Sequence, residues 1–340
     1  MKVIAGDDIK FETIFLQDCK QVIGNAEATL LDMGDGVACL AFHSKGNALS
    51  AAINDMIAQS MEKVKTDFIG LVIANDGKNF SAGANINEFV AAIQSGSFAQ
   101  LEEMIRDVQH LFLNLKYMDK PVVCAPHQKT LGGGAELCLA ADQLVFSSDT
   151  QIGLVETGIG LIPGGGGCKE MAVRASRQYP DPQTDLQPAI QRAFETIFMA
   201  KVSPDAAGAE RLGFVRPHDW IVQEPAHRFA AAKEAVLVLH RAGYRAPAQE
   251  PVRVAGDSGR AALMTAIYGM KIGGFITAYE AYIAEKIAYV LTGGNAAPGM
   301  LVSEQYLLDI EREAFMSLIR EQKTQERIQA LITTGKRIRN

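Results

Sequence analysis

The 340-residue sequence lacks several things, and each lack closes off a class of function. It has no excess of basic residues: 33 Lys and Arg against 39 Asp and Glu leave a formal net charge of −6, which argues against a general nucleic-acid or anionic-membrane surface. No apolar run reaches the length of a membrane span, and the N-terminal stretch, with Asp7, Asp8 and Glu12, lacks the build of a signal peptide. The expectation is a soluble, cytoplasmic protein. The five cysteines (Cys19, Cys39, Cys124, Cys138, Cys168) are odd in number and widely spaced, with no CxxC pair. They read as reduced core residues rather than disulfides or metal ligands. The six histidines show no HxxxH or comparable grouping, so no metal site is expected.

The glycines exclude two further classes. Gly158-Ile159-Gly160-Leu161-Ile162-Pro163-Gly164 misses the GxGxxG spacing and puts a proline where a dinucleotide-binding helix should begin. Gly164 to Gly167, followed by Cys168-Lys169, lacks the GK[ST] ending of an ATP-binding loop. Neither nicotinamide nor ATP binding is supported.

What is present is an alternation of strand and helix in a chain long enough to bury a full core. Residues 1 to about 25 mix charge with isolated apolar residues and read as a linker or docking segment, 1–26. Ala28–Asp32 and Val37–Phe42 read as strands joined through Met33-Gly34-Asp35-Gly36, whose Asp-Gly is a hairpin signal. Leu49, Ile53, Met56, Ile57, Met61 and Val64 recur at helical spacing, and 68–74 is a continuous apolar run typical of a strand buried on both faces. An amphipathic helix is expected over 98–117, strands over 121–126 and 143–146, and a short strand near Phe214. Beyond Pro163 the pattern is mainly helical: 186–199, 204–212, 226–242, 261–290, 303–319 and 323–333. The broad apolar face around Ile272, Phe275, Ile276, Tyr279 and Ile283 suits either the chain's own sheet or another subunit or domain.

Thr130-Leu131-Gly132-Gly133-Gly134-Ala135-Glu136 stands out within this pattern. Three consecutive glycines let a ligand approach the peptide N–H groups, and the helix that follows adds a positive dipole end. Those are the parts of an oxyanion hole, although a tight turn into a buried helix needs the same glycines. Two other segments carry small residues of similar character: Ser81-Ala82-Gly83-Ala84-Asn85-Ile86, and Glu156-Thr157-Gly158-Ile159-Gly160-Leu161-Ile162-Pro163.

Taken in order, these three segments make the chain, from about Ala28 to Val215, resemble the crotonase (enoyl-CoA hydratase/isomerase) superfamily. The resemblance implies an α/β fold, a spiral of ββα units with a helical C-terminal region, divided as a core over 27–217 and a packing or oligomerisation region over 218–340. It implies an oxyanion hole from the backbone N–H groups of Ala84 and Gly133, and catalytic carboxylates at Glu136 and Glu156. It places Lys45, Ala48 and Ala82 at the CoA. Lys336 and Arg337, by themselves a solvated basic tail, would by the resemblance meet its phosphates.

The implied reaction is hydration of a 2-enoyl-CoA in fatty-acid β-oxidation, with the acyl-CoA as substrate, no separate cofactor and a homo-oligomeric assembly, trimer or hexamer. Both glutamates favour a hydratase over a Δ3,Δ2-enoyl-CoA isomerase or a catalytically silent CoA-binding subunit. The ends of the chain are similar to the hydratase half of bacterial bifunctional enzymes, which implies a fused or partner 3-hydroxyacyl-CoA dehydrogenase. Two departures from the family pattern are Asn85, where many members carry Asp, and a longer stretch around Pro180 to Pro182.

Overall fold

The structure is a computed structural model that describes residues 2–4, as backbone, and residues 12–340. Part of the expected linker, residues 1 and 5–11, lies outside the described residues. In chain order the strands are β1 (Lys2–Ile4), β2 (Lys20–Gly24), β3 (Ala28–Asp32), β4 (Val37–Phe42), β5 (Gly70–Ala74), β6 (Val122–Cys124), β7 (Lys129–Leu131), β8 (Gln143–Ser147), β9 (Gln151–Gly153), β10 (Trp220–Val222), β11 (Val252–Arg253) and β12 (Leu301–Val302). The helices are α1 (Ala51–Asp67), α2 (Ile86–Ser95), α3 (Phe98–Lys116), α4 (Gly133–Ala140), α5 (Gly167–Gln178), α6 (Gln187–Phe198), α7 (Ala206–Arg211), α8 (Arg228–Arg241), α9 (Gly256–Ile272), α10 (Ala278–Leu291), α11 (Glu304–Ile319) and α12 (Gln322–Thr334). They fall into two compact units: residues 1–85, 110–152 and 202–248 form the first, and residues 86–109, 153–201 and 249–340 the second.

The first unit is built on an eight-stranded sheet in the order β1-β10-β8-β6-β5-β4-β3-β2. Its strands run parallel from β1 to β4 and antiparallel through β3 and β2. Every residue of β4 and β5 is buried, as a continuous apolar run demands when both faces of a sheet are covered. The hairpin between β3 and β4 turns on Gly34, Asp35 and Gly36, all at positive φ (79°, 55° and 77°), and Asp32 Oδ1 accepts from Gly34 N at 2.8 Å. Phe229, Ala231, Ala232, Ala235 and Val236 of α8 share a core with Val72, Val123 and Val145 of the sheet. The small side chains allow close approach: a Cβ on Gly70 would stand 2.5 Å from Val236 Cγ1.

The division into units cuts across the three spans expected from the sequence, because short segments far along the chain complete the sheet. Lys20–Gly24 pairs with β3, and Trp220–Val222 pairs with β8. The short strand lies at Trp220 rather than near Phe214, which is a fully buried loop residue.

The second unit is mainly helical. The single helix expected over 261–290 is two, for Gly273 and Gly274 (φ 71°) end α9, and Thr277 with Glu280 opens α10 in a reciprocal capping box. Helix α5 starts inside the glycine run, where its first N–H groups need an acceptor. Glu311 of α11 supplies it, accepting from Gly166 N at 2.6 Å and Lys169 N at 2.9 Å. Lys169 is buried against Glu170 and, at 3.1 Å, Glu304. Although burial opposes the charge, the two carboxylates hold that ammonium above its ordinary value. Tyr268, Ile272 and Phe275 are all more than 60% exposed, at 66%, 69% and 74%. Among the described residues no helix is long and apolar enough to cross a membrane.

Candidate functional site

In the first unit the site is assembled by the loop that follows β5. Asn75 is fully buried; its Nδ2 donates to Phe80 O at 3.0 Å and its Oδ1 accepts from Gly77 N at 3.1 Å. The loop is therefore folded back on itself before it reaches Ser81. From there it runs beside β7, with Ser81 N donating to Lys129 O and Leu131 N donating to Ser81 O, at 3.1 and 3.0 Å. Two residues on it meets the segment before α1: Leu49 N donates to Gly83 O at 2.8 Å and Asn85 N to Leu49 O at 3.0 Å. Gly83 has φ 103°, a backbone shape that side chains rarely adopt.

Alternate pairing with Leu49 leaves Ala84 as the residue whose own N–H points away from that ladder. Gly132, at φ 53° and ψ −127°, turns the chain from β7 into α4. A Cβ built on Gly133 would lie 3.3 Å from Ala84 N, and one built on Gly83 would lie 3.6 Å from Gly133 N. The peptide groups of Ala84 and Gly133 are thus neighbours, from loops 49 positions apart in sequence. Among the described residues neither N–H has a backbone acceptor. Gly133 N is also an end-of-helix donor, so it carries the positive end of the α4 dipole beside Ala84 N.

Glu136 lies in the first turn of α4 and is 5% exposed, its backbone N donating to Gly132 O at 3.0 Å. Lys45 and Ala82 are exposed on adjoining segments, linked by the 2.9 Å bond from Ala82 N to Gly46 O, and Ala48 precedes Leu49 in the same segment. The first unit therefore brings together Lys45, Ala48, Ala82, Ala84, Gly133 and Glu136.

Glu156 and Lys336 belong to the second unit. Glu156 opens a 3-10 turn, Glu156–Ile159, that ends at Gly160 with φ 84°. Thr324 of α12 donates from Oγ1 to Gly160 O at 2.7 Å, and its hydroxyl lies 2.6 Å from that of Tyr279. A Cβ on Gly160 would stand 2.7 Å from Thr324 Oγ1, so only glycine fits the turn. The Arg337 guanidinium lies against Gly158, where an added Cβ would meet it at 2.8 Å. Lys336 is exposed, its backbone N donating to Thr334 Oγ1 at 3.2 Å.

Sequence reasoning missed the polar groups that hold these segments: Ser81, Asn47 and Asn75 in the first unit, Thr324 and Tyr279 in the second. Ser81 lay within a recognised motif; Asn75 bonds within its own loop, and Asn47, Thr324 and Tyr279 are single polar residues whose partners are tens of positions away. Among the described residues no cluster of three or more His, Cys, Asp or Glu is arranged to hold a metal ion. All five cysteines are free thiols, four of them buried.

Comparison with known proteins adds to this geometry. Residues 32–179 match the family model described as enoyl-CoA hydratase/isomerase. Over 326 residues the chain is 43% identical to a probable 3-hydroxyacyl-CoA dehydrogenase of Bacillus subtilis (strain 168), a match that covers 96% of this chain and 41% of that protein. A putative fatty acid oxidation complex trifunctional enzyme of Rickettsia felis is 34% identical over 160 residues, covering 47% of this chain and 22% of that one. The chain thus spans less than half the length of these curated relatives. Among solved structures, an enoyl-CoA hydratase from Bacillus halodurans superposes with a TM-score of 0.59 at 15% identity, covering 90% of this chain and 100% of that one. At that identity the likeness is one of fold.

Proposed function

We propose, from the match of residues 32–179 to the enoyl-CoA hydratase/isomerase family model, that this chain adds water across the 2,3 double bond of a 2-enoyl-CoA to give a 3-hydroxyacyl-CoA. What carries the reading is the adjacency of the Ala84 and Gly133 peptide groups, with Glu136 in the first turn of the helix that starts at Gly133. Attack of water on Cβ of a conjugated thioester pushes charge onto the thioester oxygen. Two fixed N–H donors aimed there lower the barrier by roughly 3 to 4 kcal/mol each.

Water must also lose a proton, and Cα must gain one. In the proposal Glu136 activates the water and Glu156 protonates Cα, each role resting on the family pattern, and a pair of carboxylates on one water would titrate jointly. Lys45, Ala48 and Ala82 would contact the CoA, and Lys336 its phosphates. The acyl-CoA is the substrate and no resident cofactor is required. The exposed Tyr268, Ile272 and Phe275 support a homo-oligomer, trimer or hexamer. The partial coverage of a relative named as a dehydrogenase supports a fused or separate 3-hydroxyacyl-CoA dehydrogenase as partner, in fatty-acid β-oxidation.

The test is the loss of enoyl-thioester absorbance on adding crotonyl-CoA. Glu136→Gln and Glu156→Gln should each lower kcat by several orders of magnitude while CoA binding is retained. Full hydration activity in either variant refutes the assigned role. Activity on a 3-enoyl-CoA that survives Glu136→Gln or Glu156→Gln would favour an isomerase, which needs a single acid/base group.

A further inference from the structure

We infer that Ser81 is a positioning residue for the oxyanion donors: its hydroxyl fixes the loop that presents Ala84 N–H against the turn that presents Gly133 N–H. Three observations in the first unit converge on it. The side chain is fully buried. Its hydroxyl donates to Asn47 O at 2.7 Å and accepts from Gly83 N at 3.1 Å, so both hydrogen-bonding directions of one oxygen are used. One direction ties it to the Lys45–Asn47 turn, and the other fixes the Ala82–Gly83 peptide, one peptide ahead of the one that carries the Ala84 N–H.

The third observation is steric. A Cβ on Gly134 would fall 2.5 Å from Ser81 Cβ and 2.7 Å from its Oγ, so the start of α4 rests directly on this side chain. Its backbone meanwhile sets the register with β7, through the bridge between Ser81 and Thr130. One small residue thereby sets the spacing of two loops. Asn47 continues the brace, its Nδ2 donating to Asn79 O at 3.0 Å on the same loop.

A hydroxyl has the size and the two-way bonding this position requires. Alanine fits the space but leaves the Gly83 N–H and the Asn47 carbonyl buried without that partner, so the Ala82–Gly83 peptide loses its anchor and the Gly83–Ala84 peptide is held from one side only, by Leu49 N at Gly83 O. A donor displaced by a fraction of an ångström from a developing oxyanion loses much of its effect.

The inference rests on the proposed function for the acyl-thioester ligand and its two oxyanion donors, and on the hydration reading for its kinetic arm only. The direct probe is the infrared carbonyl stretch of butyryl-CoA, labelled with ¹³C at the thioester carbonyl and bound to the intact protein. This saturated thioester does not turn over. In the parent protein the stretch should move to lower frequency on binding, and in Ser81→Ala at least half of that movement should be lost while the Kd for butyryl-CoA stays within about threefold. In parallel, kcat for crotonyl-CoA should fall by about 10- to 100-fold with KM nearly unchanged. A role in folding alone would lower the melting temperature and leave the stretch of the bound ligand where it was.

Should Ser81→Ala fail to fold, Ser81→Cys keeps a side chain there with a poor hydrogen-bonding group and should show the same loss of shift. An unchanged carbonyl frequency and unchanged kcat in a folded variant overturn the inference. A shift present in the parent protein and lost in Ser81→Ala, with no hydration by the parent, supports the role of Ser81 and refutes the hydration reading.

Discussion

Replacing Asp142 by Asn should remove a pH-dependent weakness from the first unit. Asp142 follows α4, and its carboxylate accepts from Val122 N and from the Tyr244 hydroxyl, both at 2.8 Å. Burial is the main influence on it, and despite those two bonds and the nearby Arg216 it lifts the carboxyl from its ordinary 3.8 to about 6. The folded protein therefore holds a proton that the unfolded chain releases. The stabilisation this brings is fully present below pH 3.8 and is lost as pH rises through about 6. The gap between those two values, at about 1.36 kcal/mol per pH unit, amounts to about 3 kcal/mol. About 1.4 kcal/mol of that remains to be lost between pH 5 and pH 8.

Asparagine can satisfy the site. Its amide donates to the Tyr244 oxygen, the Tyr244 hydroxyl turns to Met118 O at 3.2 Å, and the amide oxygen accepts from Val122 N. Urea unfolding of the parent and Asp142→Asn proteins at pH 5 and pH 8 separates this group from the other carboxylates, which both proteins share. The stability of the variant relative to the parent should rise by about 1.4 kcal/mol across that interval. Parallel stability curves for the two proteins would refute the assignment of a raised carboxyl to Asp142.

Gly134→Ala should be costly at a site where no ligand contact is invoked, because its Cβ would meet Ser81 Cβ at 2.5 Å. Overpacking of that kind costs about 1–3 kcal/mol, so thermal unfolding should move down by several degrees and hydration should fall, whereas a neutral variant would show that α4 can retreat from the loop. Thiol labelling should separate the cysteines. Cys39, Cys124, Cys138 and Cys168 are buried, and burial pushes the Cys39 and Cys138 thiols up, so these four should stay unmodified until the protein unfolds. More than one thiol titrated under native conditions would contradict that picture.

The strands at 28–32 and 37–42 and the helix beginning near Leu49 were legible because they obey local rules: an Asp-Gly turn, a two-residue alternation or apolar run, and a 3.6-residue spacing. What was not legible depends on pairing across the chain. Lys20–Gly24 has a mixed exposed and half-buried pattern, as an edge strand should, and nothing in those five residues says that β3 lies beside them. Trp220–Val222 is only three residues long, too short for alternation to be read. The break between α9 and α10 was written in Gly273-Gly274 and in Thr277 with Glu280 three residues on, but the apolar face that runs through both helices masks it.

The site divides along the same line. Glycines at 83, 132 and 133 could be picked out because a residue without a side chain has few other reasons to recur beside a strand end. Ser81, Asn47 and Thr324 carry no such mark, since serine, asparagine and threonine are ordinary in loops and at helix ends. Their meaning lies in who receives the bond: Asn47 O for Ser81, Asn79 O for Asn47 and Gly160 O for Thr324, partners 34, 32 and 164 positions away. A motif thus reveals where backbone must come close to a ligand, while the groups that keep that backbone in place are chosen by the fold. It follows that substitutions at such positions should alter rate through geometry, and the carbonyl frequency of a bound thioester should register that change in the first unit even where every residue of the motif is intact.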